Sequence, residues 1–146
     1  MTEITDSTVF KLHRATALLD RIADRYLQRE HGIRYSQFLP LLIVRVIGEP
    51  TQTRIADNLG VSRASVTQRI APLVADGLLV VRQHPADARA KLVTLTERGT
   101  ALVDAAWVGL TAHQDGVEDG VDEAVLAAQL DRLIANALPV AIGGNS

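Results

Sequence analysis

The 146-residue chain contains no cysteine and few aromatic residues. Without cysteine it has no disulfide framework, no thiol redox sensor and no cysteine-ligated metal site. Aromatic residues make up 3% of the chain whereas 47% of it is hydrophobic, so the core has to be built from aliphatic side chains. This length and composition are typical of a single compact domain, or of one lobe with an added arm for association.

The sequence shows no long apolar run and no targeting signal. The opening MTEITDSTVF lacks the basic and then apolar regions of a signal peptide, and the longest apolar stretch, residues 38–47, is interrupted by Arg45. A helix that spans a bilayer needs about 20 apolar residues. We therefore expect a cytoplasmic protein without a membrane partner.

Motifs of enzymes and metal sites are missing as well. The four histidines are scattered, at His13, His31, His84 and His113, with neither His-x-x-x-His nor His-Glu-x-x-His spacing. No glycine-rich phosphate loop follows a predicted strand, and there is no nucleophile elbow. These absences predict a protein that is not an enzyme and that holds no metal or cofactor.

The pattern of residues 51–96 predicts two short helices joined by a tight turn and followed by a hairpin. Thr51 and Ser62 are suited to cap the two helices, because their side-chain oxygens accept from backbone N–H groups. Ala56, Gly60 and Val66 have the spacing that a helix-turn-helix requires: a small residue at the crossing, a left-handed residue in the turn and an apolar anchor. Such a unit with a hairpin behind it is a winged helix-turn-helix, which points to duplex DNA.

The second helix has a small, polar and basic face opposite its apolar stripe. Val66, Ile70 and Leu73 recur at the helical repeat and are predicted to point inward. The outward face carries Ala64, Gln68, Ala71 and Ala75, flanked by Arg63, Ser65, Thr67 and Arg69. Small residues permit close approach to a major-groove floor, the amide of Gln68 suits adenine, and arginine reaches guanine or phosphate. The alternative is an ordinary amphipathic helix with a solvated face.

The hairpin carries three basic residues around a loop at 85–90 that contains proline and aspartate. Arg82, Arg89 and Lys91 lie on this segment, and Arg89 is close to the tip. An arginine there can enter a narrow minor groove, where the negative potential is strongest. Asp87 is predicted to orient the loop or Arg89, because a carboxylate that faces phosphate is repelled. A solvated turn with a local ion pair is the alternative.

Positive charge is concentrated on this part of a chain whose net charge is −2. Residues 51–98 hold seven basic and four acidic side chains, whereas residues 99–146 hold one basic and seven acidic side chains. The lobe predicted to face DNA is therefore modestly basic, and the acidic segment lies elsewhere in the chain. We expect weak non-specific binding to DNA that decreases as salt rises.

The flanking segments predict helices for association. Apolar or small residues recur in steps of three and four along the first helix, at Val9, Leu12, Ala15, Leu19, Ile22 and Tyr26. A further helix is predicted from Thr96 to about Gln114, then a break at Gly116 and Gly120, and a last helix capped by Asp122. We predict that the terminal helices pack against those of a second copy in a C2 homodimer, with packing inside one chain as the alternative.

With IADNLGVSRASVTQRI, the following DGLL and the wing DARAKLVTLTERG, the chain resembles the MarR family of bacterial transcription regulators. The resemblance implies a mainly α fold with a small β-wing, in which a winged helix-turn-helix is flanked by N- and C-terminal dimerisation helices. The implied division is residues 1–34 for dimerisation, 35–98 for DNA binding and 99–146 for dimerisation again. It also implies an obligate homodimer whose subunits each address one half of a near-palindromic operator.

The resemblance assigns DNA contacts to individual positions. They are Ser62, Arg63, Ser65, Thr67, Gln68 and Arg69 on the recognition helix and Asp87 and Arg89 on the wing. Lys91 adds a positive charge beside the wing positions. The chain departs from the family at Pro72 and Pro40, which each remove a helical hydrogen bond, and at Arg34, where the family usually has a capping threonine.

The resemblance also implies a site for a small aromatic or anionic effector between the dimerisation helices and the DNA-binding lobes. The candidate residues are His13, Arg14, Tyr35, Phe38 and Trp107, together with Tyr26. Each large aromatic has an alternative place in the core. Effector binding is predicted to change the spacing of the two recognition helices and so to release DNA.

Together these patterns predict a sequence-specific transcription regulator of double-stranded DNA, a repressor released by a small-molecule effector and associated with the nucleoid when bound. The alternative is a winged-helix module that binds a protein partner, because a fold does not dictate its partner. A protein-binding surface is expected to carry exposed aromatic or aliphatic anchors in place of a basic wing and a polar recognition face.

Overall fold

The computed structural model describes residues 3–112 and 115–142 and is mainly helical with a small antiparallel sheet. The elements are a 3-10 turn at Ile4–Asp6, then α1 Thr8–His31, α2 Tyr35–Ile47, α3 Gln52–Leu59, α4 Arg63–Ala75, β1 Leu79–Gln83, β2 Lys91–Leu95, α5 Glu97–Ala112 and α6 Glu123–Ile142. The predicted fold class, mainly α with a β-wing, is confirmed. The predicted end of the fifth helix near Gln114 lies outside the described residues.

The chain divides into two compact units, of which the first ends at Ala112 and the second contains α6. Helices α1 and α5 thus belong to the same unit as α2, α3, α4 and the sheet. The division predicted at residues 34 and 98 separates segments for dimerisation from the segment for DNA binding, and it stays a prediction. In the second unit, Gly116 and Gly120 have positive φ values of 78° and 77°, and Asp122 Oδ1 accepts from the Val125 N–H at 3.1 Å, so the predicted break and cap are confirmed.

The core of the first unit is aliphatic, as the shortage of aromatic residues predicts. Among the described residues Phe38 is the one aromatic that is fully buried. Around it pack leucine, isoleucine and valine side chains from α1, α2, α3, α4, both strands and α5. Burial of this apolar surface stabilises the arrangement of the two short helices and the hairpin against α1 and α5.

Local signals set the ends of the helix-turn-helix. The Thr51 side-chain oxygen accepts from the Arg54 N–H at 3.1 Å, and the Ser62 oxygen accepts from the Ser65 N–H at 3.1 Å. Gly60 ends α3 in the left-handed region, with φ at 66°. These are the caps and the turn that the sequence predicts, because each depends on residues a few positions apart.

The prolines do not interrupt their helices. Pro72 lies inside α4, which continues to Ala75, and Pro40 lies inside α2, which begins at Tyr35. At the start of α2 the Arg34 N–H donates to Gln37 Oε1 at 3.1 Å, and the Gln37 N–H donates to the Arg34 carbonyl at 3.0 Å, so the helix begins with a bond in each direction between these two residues.

Helix α6 corrects the prediction that no stretch of the chain is long and apolar enough to span a membrane. Residues Glu123–Ala141 meet that requirement by length and composition, and none of that window is buried in the described structure. The same helix carries Asp131 and Arg132 near its centre. A charged side chain at the centre of a membrane helix costs about 2.5–3.5 kcal/mol on insertion scales, which argues against a membrane span.

Candidate nucleic-acid interface

Helix α4 is oriented by its apolar stripe. Val66, Ile70 and Leu73 are at most 2% exposed and pack into the core. The opposite face is open to solvent and presents Arg63, Ala64, Thr67, Gln68, Ala71 and Ala75. Ser65 and Arg69 lie at the border and are partly buried. The helix therefore exposes the small, polar and basic face that the sequence predicts.

The polar side chains of α4 divide into those engaged locally and those that are available to a partner. Ser62 is occupied as the helix cap, and Thr67 Oγ1 donates to the Arg63 carbonyl at 3.0 Å. Within the described structure the side chains of Arg63, Gln68 and Arg69 form no hydrogen bond or ion pair. Those three groups carry the donors that read base edges and phosphates.

The wing is the antiparallel pair β1 and β2 with a tip at residues 84–90. Its register pairs Leu79 with Leu95 and Gln83 with Lys91. At the tip, Asp87 Oδ1 accepts from the backbone N–H of Arg89 at 3.0 Å, and no hydrogen bond or ion pair involves the Arg89 side chain within the described structure. Asp87 thus orients the loop, as predicted, and leaves the guanidinium of Arg89 exposed.

One of the three basic wing residues has an acidic partner. Arg82 forms an ion pair with Glu49, which lies in the turn between α2 and α3. The positive charge that the wing presents to a partner therefore comes from Arg89 and Lys91. The sequence gives no sign of this pairing, since its two members are far apart along the chain.

Backbone hydrogen bonds tie the root of the wing to the helix-turn-helix. The Val93 N–H donates to the Pro50 carbonyl at 2.9 Å, and Thr51, the cap of α3, forms an isolated β-bridge with Leu92. The segment before α3 thus acts as a short third partner of the sheet. This arrangement makes the wing and the helix-turn-helix one structural body.

The end of α4 is held by the start of α5, a contact that sequence reasoning missed. Arg98 Nη1 donates to the Asp76 carbonyl at 2.8 Å, and Thr96 Oγ1 donates to the Gly77 carbonyl at 2.7 Å. Arg98 lies in the segment DARAKLVTLTERG, where its residue type suggested no role, and its partner is a backbone atom. No pattern of residue types reveals such a bond.

The predicted effector residues differ in their exposure to solvent. Phe38 is 1% exposed within the core, the alternative place considered for each large aromatic, whereas His13 and Arg14 lie exposed on α1. Tyr35 is partly buried at the start of α2. Burial raises the pKa of the Tyr35 phenol to about 12. A hydrogen bond to Asp20 and the negative charge of Asp20 raise this pKa further.

Trp107 lies in a groove between α2 and α5 with a volume of about 520 Å³. The side chain is 49% exposed, and Leu42, Val46 and Val103 form the rest of the apolar lining. Arg45 and Asp104 complete the groove and join the two helices through an ion pair, with Arg45 Nε 2.9 Å and Nη2 3.4 Å from the carboxylate oxygens of Asp104. The hydrogen bond and charge of Asp104 raise the pKa of Arg45.

Within the described residues no three histidine, aspartate or glutamate side chains are grouped as a metal site requires. Of the four histidines, His113 lies outside those residues. His84 Nδ1 accepts from the Ala86 N–H at 3.0 Å within the wing tip, and His31 Nε2 lies 3.5 Å from the Tyr26 hydroxyl.

The family model described as MarR family matches residues 33–91, which contain α2, the helix-turn-helix and the wing tip. A relative from Bacillus cereus, an uncharacterized HTH-type transcriptional regulator, is 27% identical over 111 residues, which are 76% of this chain and 73% of the relative. The crystal structure of wild-type MarR from E. coli is 27% identical with a TM-score of 0.74 and covers 94% of this chain and 100% of that one.

A further solved structure is the transcriptional repressor CouR bound to a 23-mer DNA duplex, with 25% identity and a TM-score of 0.76 over 94% of this chain and 96% of CouR. CouR from Rhodococcus jostii RHA1 bound to p-coumaroyl-CoA matches with a TM-score of 0.81 over 95% of this chain and 97% of CouR, at 22% identity. With its capped helix-turn-helix, its wing and this similarity in fold along nearly the whole length, the chain is similar to the MarR family and is a DNA-binding transcriptional regulator.

Proposed function

We propose that the protein is a dimeric repressor that binds a near-palindromic operator in double-stranded DNA and leaves it when a small aromatic acid binds. The observation that carries the proposal is the surface formed by α4 and the wing tip. There the side chains of Arg63, Gln68, Arg69 and Arg89 lie within one structural body and form no hydrogen bond or ion pair in the described structure. We propose no catalytic reaction, and we place the protein in the cytoplasm, at the nucleoid when bound.

The proposed division of roles follows from the chemistry of the two elements. On α4 the amide of Gln68 has a donor and an acceptor, and the guanidinium of Arg63 has donors, for base edges in the major groove. Arg89 at the wing tip suits the narrow minor groove, where arginine is attracted by the negative potential. Ser62, Ser65, Thr67, Arg69 and Lys91 lie on or beside this surface and are proposed as phosphate or sugar contacts, with Asp87 as the residue that shapes the tip.

A homodimer is proposed because both ends of the chain present apolar faces that nothing in the described structure covers. In α1, Val9 and Leu19 are 65% and 51% exposed. In α6 the exposed apolar residues are Val125, Leu126, Leu133, Ile134 and Leu138. A C2 dimer repeats the same surface on both copies, so two recognition helices address two halves of a palindrome.

The groove beside Trp107 is the proposed effector site. Its apolar lining and the indole ring suit an aromatic body, and the guanidinium of Arg45 offers a planar, bidentate partner to a carboxylate. We propose that such a ligand competes with Asp104 for Arg45. CouR, solved with p-coumaroyl-CoA, binds an aromatic acyl thioester, which supports the aromatic body of the proposed effector. His13, Arg14 and Tyr35 are proposed as residues that a second copy brings towards the groove.

The DNA-binding part of the proposal is tested by fluorescence anisotropy on a duplex from upstream of the protein's own gene and on a scrambled duplex, at two salt concentrations. Arg89→Ala is expected to weaken binding to the first duplex by about 1–3 kcal/mol, the usual cost of one lost specific contact. The matched control is Arg29→Ala, because Arg29 is exposed on α1 and paired with Glu30. Equal binding to both duplexes, with no effect of Arg89, would favour a protein partner instead.

The effector part is tested through fluorescence, because Trp107 is the chain's single tryptophan. Titration with p-coumarate or benzoate is expected to change the tryptophan emission, raise the melting temperature and release the operator duplex. Arg45→Gln is expected to abolish all three responses while leaving DNA binding without ligand intact. If millimolar concentrations of both acids leave emission, melting and DNA binding unchanged, the groove is not a site for aromatic acids.

A further inference from the structure

Three successive carbonyls at the end of the recognition helix are bonded by two residues at the start of α5. The Asp76 carbonyl accepts from Arg98 Nη1 at 2.8 Å and the Gly77 carbonyl from Thr96 Oγ1 at 2.7 Å. The Leu78 carbonyl accepts from the Thr96 N–H at 3.1 Å. We name these five residues the α4–α5 joint. The last carbonyls of α4 already accept from the N–H groups of Asp76, Gly77 and Leu78, so the joint binds the turn that closes α4 and ties this turn to α5.

The joint is closely packed as well as hydrogen-bonded. Thr96 Oγ1 also accepts from the Gly99 N–H at 3.0 Å, so one hydroxyl both caps α5 and binds the turn after α4. A Cβ atom on Gly99 would lie 2.1 Å from the Leu78 carbonyl oxygen, which shows how closely the two backbones approach. Gly77 has φ at 73°, the left-handed conformation that directs its carbonyl away from the path of α4. Little freedom remains for α4 to tilt while these contacts hold.

The orientation of α4 matters unequally for the two kinds of DNA contact. Hydrogen bonds to base edges depend on the direction and depth at which the helix enters the groove, and they carry the sequence information. Attraction between basic side chains and phosphates tolerates a change in direction, because it acts over a Debye length of about 8–10 Å. A change in tilt therefore removes selectivity before it removes affinity.

We propose that Thr96 and Arg98 are positioning residues that set the angle of the recognition helix and thereby the sequence selectivity of the regulator. They act through the carbonyls of Asp76 and Gly77 and need no contact with DNA. The proposal rests on DNA binding by α4. A direct phosphate contact by Arg98 is the competing explanation, and it predicts a different result, because loss of a phosphate contact weakens binding to all sequences alike.

The test uses the full-length protein with Thr96→Val and Arg98→Gln, and Thr96→Ser and Arg98→Lys as conservative variants. Each is titrated by fluorescence anisotropy at two salt concentrations on a duplex that the wild type selects from a random library, and on a scrambled duplex. Arg29→Gln is the matched control for the loss of one positive charge away from the joint. Melting temperatures are measured in parallel.

Thr96→Val and Arg98→Gln are expected to weaken binding to the selected duplex at least tenfold while binding to the scrambled duplex changes less than twofold. The salt dependence stays that of the wild type, and Thr96→Ser restores selectivity because it keeps the hydroxyl. Thr96→Val removes the hydroxyl that caps α5, and this variant can unfold for that reason alone. In that case the result for Arg98→Gln tests the proposal, since this substitution leaves the cap of α5 intact.

A proportional loss on both duplexes, with a salt slope reduced by about one, would make Arg98 a phosphate contact and overturn the proposal. Unchanged selectivity in folded variants would overturn it too. A wild type that selects no sequence would instead contradict sequence-specific binding itself, so the two failures are distinguishable.

Discussion

The substitution Gly99→Ala tests how closely α5 approaches the turn after the recognition helix. The added methyl group would lie 2.1 Å from the Leu78 carbonyl oxygen and 3.0 Å from Leu95 Cδ2. The first of these neighbours is backbone, and the hydrogen bond from the Thr96 N–H holds it in place. The clash cannot be relieved by turning a side chain, so either α5 or the turn has to move.

The expected cost is the difference of two terms. Overpacking of a closely packed site costs about 1–3 kcal/mol, and contact with fixed backbone places this site at the upper end. Alanine gains up to about 1 kcal/mol over glycine inside a helix, so the net loss of unfolding free energy is about 2 kcal/mol. At ~2–4 °C per kcal/mol for a chain of about 150 residues, the melting temperature falls by about 4–8 °C.

The assay is thermal and urea unfolding at one fixed protomer concentration, because association alters apparent stability. The matched control is Ala101→Gly, since Ala101 is exposed on the same helix and its change measures the alanine-to-glycine difference without a steric contact. A melting temperature of Gly99→Ala equal to or above that of the wild type would refute the close approach on which the joint depends.

Three further outcomes are expected. Gly60→Ala is expected to lose about 1–2 kcal/mol of unfolding free energy in urea. The loss comes from the left-handed φ alone, because no heavy atom lies within 4 Å of the added Cβ. Gly60→Asn is expected to lose less, since asparagine adopts this conformation more readily. Stability is expected to fall from pH 10 to 12 more steeply in the wild type than in Tyr35→Phe. The folded state holds the pKa of that phenol at about 12, whereas in the unfolded chain the phenol ionises near its ordinary pKa of 10.0, so equal slopes would contradict this. For the proposed dimer, Ile134→Glu places a charge on the exposed apolar face of α6 and is expected to shift sedimentation from dimer to monomer at micromolar concentration. An unchanged mass would show that this face is not the interface.

The helix-turn-helix was predictable because its signals are local. Thr51, Gly60 and Ser62 each act within about four residues, through a cap or a left-handed turn, so their chemistry can be identified without knowledge of the tertiary structure. The inward stripe of α4 follows from the helical repeat in the same way, and its three residues are buried as predicted. The orienting role of Asp87 also follows from a neighbour two positions away.

Contacts between distant parts of the chain were not predictable. Arg45 and Asp104 are 59 residues apart, and Arg98 binds a backbone carbonyl 22 residues earlier. Neither pair follows a period or a motif. Phe38 shows a related limit, because a helical repeat indicates that a side chain points inward and does not distinguish the core from a ligand cavity.

The wing tip is held by hydrogen bonds among its own residues, so it can be exchanged as a unit. The His84 N–H donates to the Ala90 carbonyl at 3.0 Å and closes residues 84–90 into a loop, and Gln83 and Asp87 bond within that loop or at its base. None of these bonds reaches the core. With the proposed contact of the wing tip to the minor groove, exchange of these seven residues between related proteins is expected to transfer groove preference on its own. An operator and its regulator can then diverge at the outer positions while the recognition helix stays the same.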